Sequence, residues 1–378
     1  MRLLHTHILI PILLVIFLIF SWAHVETGAA APDETIRIAI LKNSPSVTID
    51  GDGLLATRDN GEPVLFSSPV SVKAGKDCLL VNGVGYTRLS FAASTAVIVN
   101  GKPYRGAADI FYADKGLLVV NSLPLEDYLV GLINCEISSA WPIESVKAQA
   151  VIARTYALIR KEAKKNALYH LESSVMDQVY DGCLIEDSRA KRAVSETAGE
   201  VLTYNRRIIQ AFYHSSCGGK TEAAENVWGA SLQYLKGVEC KYCLTATSTA
   251  WEQKLGLREI EEKFRAAGIK IAGITDINGG TRNDRGRWKN IVVVSSKGDV
   301  SVTGDQFRKI IGYGIIKSTN FVVKIGNGEA LFSGSGNGHG VGLCQWGAKQ
   351  RALDGFGYTE ILAYYYPGTE LKKNSELR

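Results

Sequence analysis

The sequence predicts an α+β protein, with a small antiparallel β unit packed on a mixed helix-and-strand core. Two observations carry this. Short β-rich runs joined by Asn-Gly and Lys-Gly turns fill residues 36–120. Helical periodicity then begins near residue 123, and later strands and helices mix without regular βαβ alternation. The chain divides accordingly into a leader (1–31), a β-rich region (32–120) and a larger core (121–373).

The leader reads MRLLHTHILIPILLVIFLIFSWAHVETGAAAP. Arg2 supplies a positive start, Ile8 to Ala23 is apolar and free of charge, and TGAAAP offers small residues for cleavage. This is the pattern of a secretory signal peptide, and it predicts an exported protein of the cell envelope. An uncleaved anchor is the alternative, because the run is near the lower length limit for a membrane span; membrane attachment follows only in that case. The net charge of +5 is small and evenly spread. It suits work beside an anionic envelope and argues against nucleic-acid binding.

In the β-rich region, Val81-Asn82-Gly83-Val84 and Val99-Asn100-Gly101-Lys102 are hairpin signals. Pro124 then suits the first turn of a helix with Leu125, Tyr128, Leu129, Leu132 and Ile133 on one face. SSAW interrupts, and Pro142 opens a second helix that runs to about Lys165. Its apolar face holds Ile143, Val146, Ala150, Ala153 and Ala157, and so many alanines imply close approach by other backbone. Beyond it come a helix, then a hairpin whose second strand is IIQAFYHS. Further strands are IKIAGITDIN and the pair WKNIVVVSSKGDVSVTG; DQFRKIIG is a short helix. A Gly-rich loop feeds a helix, and a last helix stops at Pro367-Gly368.

Glu136 stands at the end of the first of these helices. The helix dipole and the neighbouring Ile137 and Trp141 disfavour its ionised form, as a general acid near neutral pH requires. A solvated helix-end glutamate is the competing explanation. Gln149, Arg154 and Tyr156 lie along the second helix; Arg154 could fork onto a carboxylate or another anionic group, although spacing alone favours an ordinary exposed or internally paired arginine. HSSC and CKYC form two knuckles, His214 with Cys217 and Cys240 with Cys243. That spacing predicts a structural, four-ligand zinc site, with disulfide pairing in an oxidising compartment as the alternative. A Cys–His nucleophilic pair using His339 with Cys344 or Cys135 lacks an orienting third group. Cys78 and Cys183 look like core residues.

Together, LPLEDYLVGLINCEISSAWPIESVKAQAVIARTYAL, DQVYDG, AFYHSSCGGKTEAAENVWG, YLKGV, TGDQFRKIIG and GNGHGVGLCQWGAKQRALDGFGYTEILAYYYPGTEL resemble, in order, the blocks of the stage II sporulation protein D / amidase-enhancer (SpoIID/LytB) family. The likeness runs from Leu123 to Leu371 and is loose before it. It implies a lytic transglycosylase that cuts MurNAc–GlcNAc bonds of peptidoglycan glycan strands and leaves 1,6-anhydroMurNAc ends. Glu136 would be its single acid and base, so no second carboxylate is required. Gln149, Arg154, Tyr156, His339 and Gln345 would line the substrate groove. The family's other name implies an alternative: a non-catalytic peptidoglycan-binding module that enhances a partner cell-wall amidase. A zinc-dependent hydrolase would need an open metal position, which a four-ligand protein site does not leave.

Overall fold

A computed structural model describes residues 34–113, 115–246 and 249–377. The proposed signal peptide lies outside these residues. No helix among them is long and apolar enough to cross a membrane.

The β-rich region forms two sheets. One has seven strands in the spatial order 171–172, 35–44, 116–124, 107–113, 88–92, 55–58 and 63–64. The other has six, ordered 102–104, 97–99, 46–50, 70–74, 79–81 and 84–86. Strand Val70–Ala74 shows the governing pattern: Val70 and Val72 are buried while Ser71 and Lys73 are exposed, as alternation about a half-buried sheet demands. Both Asn-Gly hairpins form. Asn82 and Gly83 have φ of 51° and 80°, and Asn100 and Gly101 have 48° and 82°, the left-handed pair that a two-residue turn needs.

Helix α1 (Leu125–Glu136) buries the five residues expected of it. Gly131 allows its close docking: a Cβ there would lie 2.7 Å from the Tyr180 ring and 2.8 Å from the Gly182 carbonyl oxygen. Helix α2 (Ile143–Ala163) ends two residues before the expected Lys165 and is buried along every residue from Ala148 to Leu158. Val146, Ala150, Ala153 and Ala157 belong to the same apolar cluster as the β-rich region. Ala148, Val151 and Ile152 belong to a second cluster with the C-terminal elements. The helix is therefore a wall common to two cores, and the β-rich region shares its core with α1 and α2.

The remaining helices are α3 (Ser188–Glu196), α4 (Ala224–Trp228), α5 (Leu257–Ala266), α6 (Gly304–Ile311), α7 (Gln345–Leu353) and α8 (Tyr358–Tyr365). Residues 250–335 carry a third cluster, in which α5 and α6 pack Ile260, Phe264 and Phe307 against strands 250–256, 288–295, 321–326 and 329–335. The expected strand IKIAGITDIN begins only at Ile274 and continues to Arg282. The expected strand IIQAFYHS is broken. Arg207–Ile208 pairs with Thr203–Tyr204, but Tyr213–His214 leaves to run parallel with Leu343–Cys344.

Arg154 faces neither solvent nor a groove. It is fully buried, and its guanidinium forks onto Glu126 with two bonds of 2.7 Å while also donating to the Glu200 and Val194 carbonyl oxygens. This corrects the substrate-groove expectation in favour of internal pairing, because α2 offers no outer face at that position. Arg154→Met is expected to lower unfolding free energy in urea by on the order of 2 kcal/mol or more, since it strands two carbonyls and Glu126. Arg154→Lys should recover little, because one ammonium cannot reproduce the planar fork.

Candidate functional site

The α1–α2 junction is held by polar contacts rather than left mobile. Asn134 accepts the Ser139 N–H at 2.8 Å and donates to Asp187 at 2.8 Å. The Ser139 hydroxyl also donates to Asp187, at 2.5 Å. Arg189 donates to the Ser139 and Trp141 carbonyl oxygens at 2.8 and 2.9 Å. This bracing fixes Glu136, the last residue of α1.

The Glu136 carboxyl accepts the Val179 N–H at 3.1 Å, and the side chains of Tyr213 and Gln345 also hydrogen-bond it. Behind Tyr213, Gln178 donates to the tyrosine oxygen at 3.2 Å and accepts from the Tyr128 hydroxyl at 3.1 Å. Gln178 thus occupies an acceptor position on Tyr213, which leaves the tyrosine proton available to Glu136. Gln345 in turn donates to Gln149 at 3.3 Å. All of these partners are neutral, and burial keeps the Tyr128 and Tyr213 hydroxyls from ionising. No Lys or Arg ion-pairs with Glu136 among the described residues. Desolvation therefore dominates and pushes its carboxyl up to about 7, against the lesser pull of Val179, Tyr213 and Gln345 towards the charged form. Such a group is half protonated near neutral pH and can both give and take a proton.

The other expected groove residues distribute as follows. Gln149 and Gln345 join the network at Glu136. Tyr156 lies close by, but its hydroxyl donates to Asp177 at 3.0 Å, and Asp177 is held by Arg160 at 2.9 Å. His339 sits half-buried beside Trp228, Phe212 and His214, with ring centroids 5.0, 6.2 and 5.6 Å away. Arg154 is absent from the site. The sequence reading names neither Tyr213 nor Gln178 and places Tyr128 only on the apolar face of α1; Gln178 sits in the matched block DQVYDG and Tyr213 in AFYHSSC, and nothing local in either marks a proton network. The Cys135 thiol is pushed up to about 11, first by burial and then by Asp181 and Glu136, so it supplies no thiolate at neutral pH.

A second centre lies beside the first. The sulfurs of Cys217, Cys240, Cys243 and Cys344 all lie within 4.8 Å of one another and all four residues are buried. No disulfide links them. Four thiolates around a tetrahedral ion of radius appropriate to zinc sit about 4 Å apart, so the set could hold a metal ion. Cys344 accepts N–H bonds from Cys217 at 3.3 Å and Gly347 at 3.4 Å. Gly347 is required here: a Cβ would lie 2.8 Å from the Cys240 sulfur and 2.1 Å from the Tyr365 hydroxyl.

The fourth member is Cys344, not the expected His214. His214 Nδ1 pairs with the Val341 carbonyl oxygen at 3.1 Å, and a carbonyl can only accept, so Nδ1 carries the proton. Burial, then Arg287, pushes the imidazole down to about 3, so it stays neutral. Parallel pairing sets His214 opposite Cys344, and the thiol completes the cluster in its place.

Glu136 also carries a signed stability effect. Its folded pKa of about 7 exceeds the ordinary 4.5, so the folded state holds the proton more tightly and loses stability as pH rises between these values. Glu136→Gln, which cannot ionise, should match the wild type near pH 4 and exceed it above pH 7, by on the order of 2–3 kcal/mol. Chemical denaturation at the two pH values measures this; equal differences at both would remove the raised carboxyl.

The family model for Stage II sporulation protein matches residues 113–204, which contain α1, Glu136, α2 and Gln178. A domain of unknown function (DUF8618) matches residues 241–342, the stretch containing the third apolar cluster. An uncharacterized protein of Brachyspira hyodysenteriae (strain ATCC 49526 / WA1) is 32% identical over 310 residues, covering 81% of this chain and 83% of that protein. The amidase enhancer of Bacillus subtilis (strain 168) is 33% identical over 329 residues, covering 75% of this chain and 46% of the enhancer. The chain thus matches less than half of that relative's length. Stage II sporulation protein D of the same organism is 30% identical over 279 residues, covering 67% of this chain and 76% of that protein. With a relative of that name matched over most of both chains, and the family model placed on the helices that build the carboxyl site, this chain belongs to the SpoIID/LytB family.

Proposed function

We propose that the protein is an exported lytic transglycosylase of peptidoglycan glycan strands, with Glu136 as its only acid and base. The observation that carries this is a lone, desolvated carboxyl near pKa 7 whose hydrogen-bond partners are all neutral. An ordinary glycoside hydrolase needs a second carboxylate, about 5–9.5 Å from the first, to activate water or attack the sugar; Asp177, the carboxylate that shares Tyr128 and Tyr156 as neighbours with Glu136, is tied up by Arg160 and the Tyr156 hydroxyl. In the transglycosylase reaction, protonated Glu136 gives its proton to the glycosidic oxygen as the C1–O bond breaks. The resulting carboxylate takes the proton of the muramoyl C6 hydroxyl as that oxygen bonds to C1. No water is consumed, and Glu136 ends protonated as it began. Val179 N–H, Tyr213 and Gln345 steady the transient carboxylate.

The amidase-enhancer reading draws support from the relative of that name. Digestion of purified glycan strands followed by mass spectrometry separates the two. The wild type should release 1,6-anhydroMurNAc ends, and Glu136→Gln should lower the rate by about a thousandfold or more. Binding and amidase stimulation without such ends would favour the enhancer. Tyr213→Phe removes a bond that favours the carboxylate, so Glu136 should stay protonated to higher pH. The alkaline limb of the rate profile should then move up.

We further propose that the four cysteines hold a structural zinc ion. Four buried sulfurs leave no position for substrate, so the metal would join segments and take no part in the reaction. Cobalt titration of the reduced protein should give the absorption of a tetrahedral thiolate site with one ion per chain. Cys344→Ser should weaken binding at least as much as Cys217→Ser, whereas His214→Asn should keep it. Loss of the ion in His214→Asn with retention in Cys344→Ser would overturn the assignment.

A further inference from the structure

The indoles of Trp141 and Trp346 lie 4.9 Å apart, tilted by 51°. The Lys349 ammonium sits over both, 5.0 Å from the Trp141 ring and 4.5 Å from the Trp346 ring. Each ring is close along the chain to a residue of the carboxyl site. Trp141 ends the braced junction that follows Glu136, and Trp346 is next in sequence to Gln345. Trp346 and Lys349 share one face of α7, three residues apart. Both indoles and the lysine remain partly open to solvent. Among the described residues Lys349 has no carboxylate partner, and its ammonium is met only by the two indoles.

We propose that Trp141, Trp346 and Lys349 form a saccharide subsite beside Glu136 that takes a sugar ring bearing a carboxylate. The inference rests on the glycan-strand reading above and adds residues to it. A sugar ring offers C–H faces that stack on indole, and two tilted indoles make a shelf for such a face. The cation lies over the shelf itself, so the anion it would receive must be attached close to the ring, as the lactyl carboxylate of a muramoyl unit is. The two ring faces hold the ammonium in place above the shelf. Arg189 and Asp187 fix the Trp141 loop, so the shelf is formed before the ligand arrives.

The test is calorimetric binding to the full chain carrying Glu136→Gln, which uncouples binding from cleavage. Three oligosaccharides serve as probes: GlcNAc–MurNAc chains with free lactyl carboxylates, the same chains with those groups converted to methylamides, and GlcNAc-only chains. Trp346→Ala should weaken all three about tenfold. Lys349→Gln should weaken only the free-carboxylate chains, also about tenfold, and Lys349→Arg should restore them. Lys349 is a partly exposed helix residue, so its variants test the idea even if Trp346→Ala fails to fold. Equal loss by Lys349→Gln on charged and amidated chains, or no loss on either, would overturn the subsite. Absence of anhydro ends in the cleavage assay would sink the enzymatic reading alone and leave these binding outcomes unaffected.

Discussion

The structure depends on burying α2 from all sides. A helix in one core needs a single apolar stripe. This one serves two cores, so alanines occupy positions that face both, and every residue from 148 to 158 is withdrawn from solvent. Small side chains bring neighbouring backbone close, and dispersion across such contacts rewards that fit. The arrangement also forces polar residues inward. Arg154 is tolerated only because Glu126 and two carbonyl oxygens meet its guanidinium; an unpaired charge there would be far more costly. Gln149 and Tyr156, on the same helix, are carried to the edge of the carboxyl site by the same burial.

Glu136 shows the opposite balance. Arg154 is given a countercharge, whereas Glu136 is given neutral donors and no cation. Three hydrogen bonds pull towards the carboxylate, desolvation pulls harder towards the acid, and the carboxyl settles near 7. An arginine in place of Gln345 would make Glu136 a permanent anion, unable to donate. A wholly apolar lining would leave it a permanent acid, unable to recover the proton. Amides and phenols lie between these limits, and they also tolerate both protonation states without rearranging. The Gln178–Tyr213 contact matters for the same reason, because it leaves the tyrosine proton available to Glu136.

What the sequence disclosed follows how local the governing physics is. The two Asn-Gly hairpins are dictated by left-handed backbone at two adjacent residues, and both formed as expected. Helices α1 and α2, and the placement of Glu136 at the end of α1, follow from periodicity and two prolines. Apart from shifted element ends, the failures are non-local. IIQAFYHS has the composition of one strand, but its second half finds a better partner in Leu343–Cys344, far along the chain. His214 and Cys217 look like a knuckle because they are near in sequence, yet the parallel pairing that opposes His214 to Cys344 decides which side chain joins the sulfurs. Arg154 could not be assigned without knowing that α2 has a core on each side. The independent cluster in residues 250–335 left no compositional mark at its borders.

That last segment gives the sulfur cluster a physical purpose. Cys240 and Cys243 lie just before residues 250–335, and Cys344 lies just after them. Strands 250–256 and 329–335 run antiparallel side by side, so the chain leaves and returns at neighbouring points. The cluster therefore sits where the segment joins the rest of the molecule, and a metal ion there would close a long loop at its base, where the entropy saved in the unfolded chain is large. Cys344 also caps α7 by accepting the Gly347 N–H, and the next residue is Gln345. The position of a hydrogen-bond donor to Glu136 is thus fixed one residue from the clasp. Burial of four sulfurs and protonation of one carboxyl are separate pieces of chemistry, yet the fold makes them share the first turn of one helix.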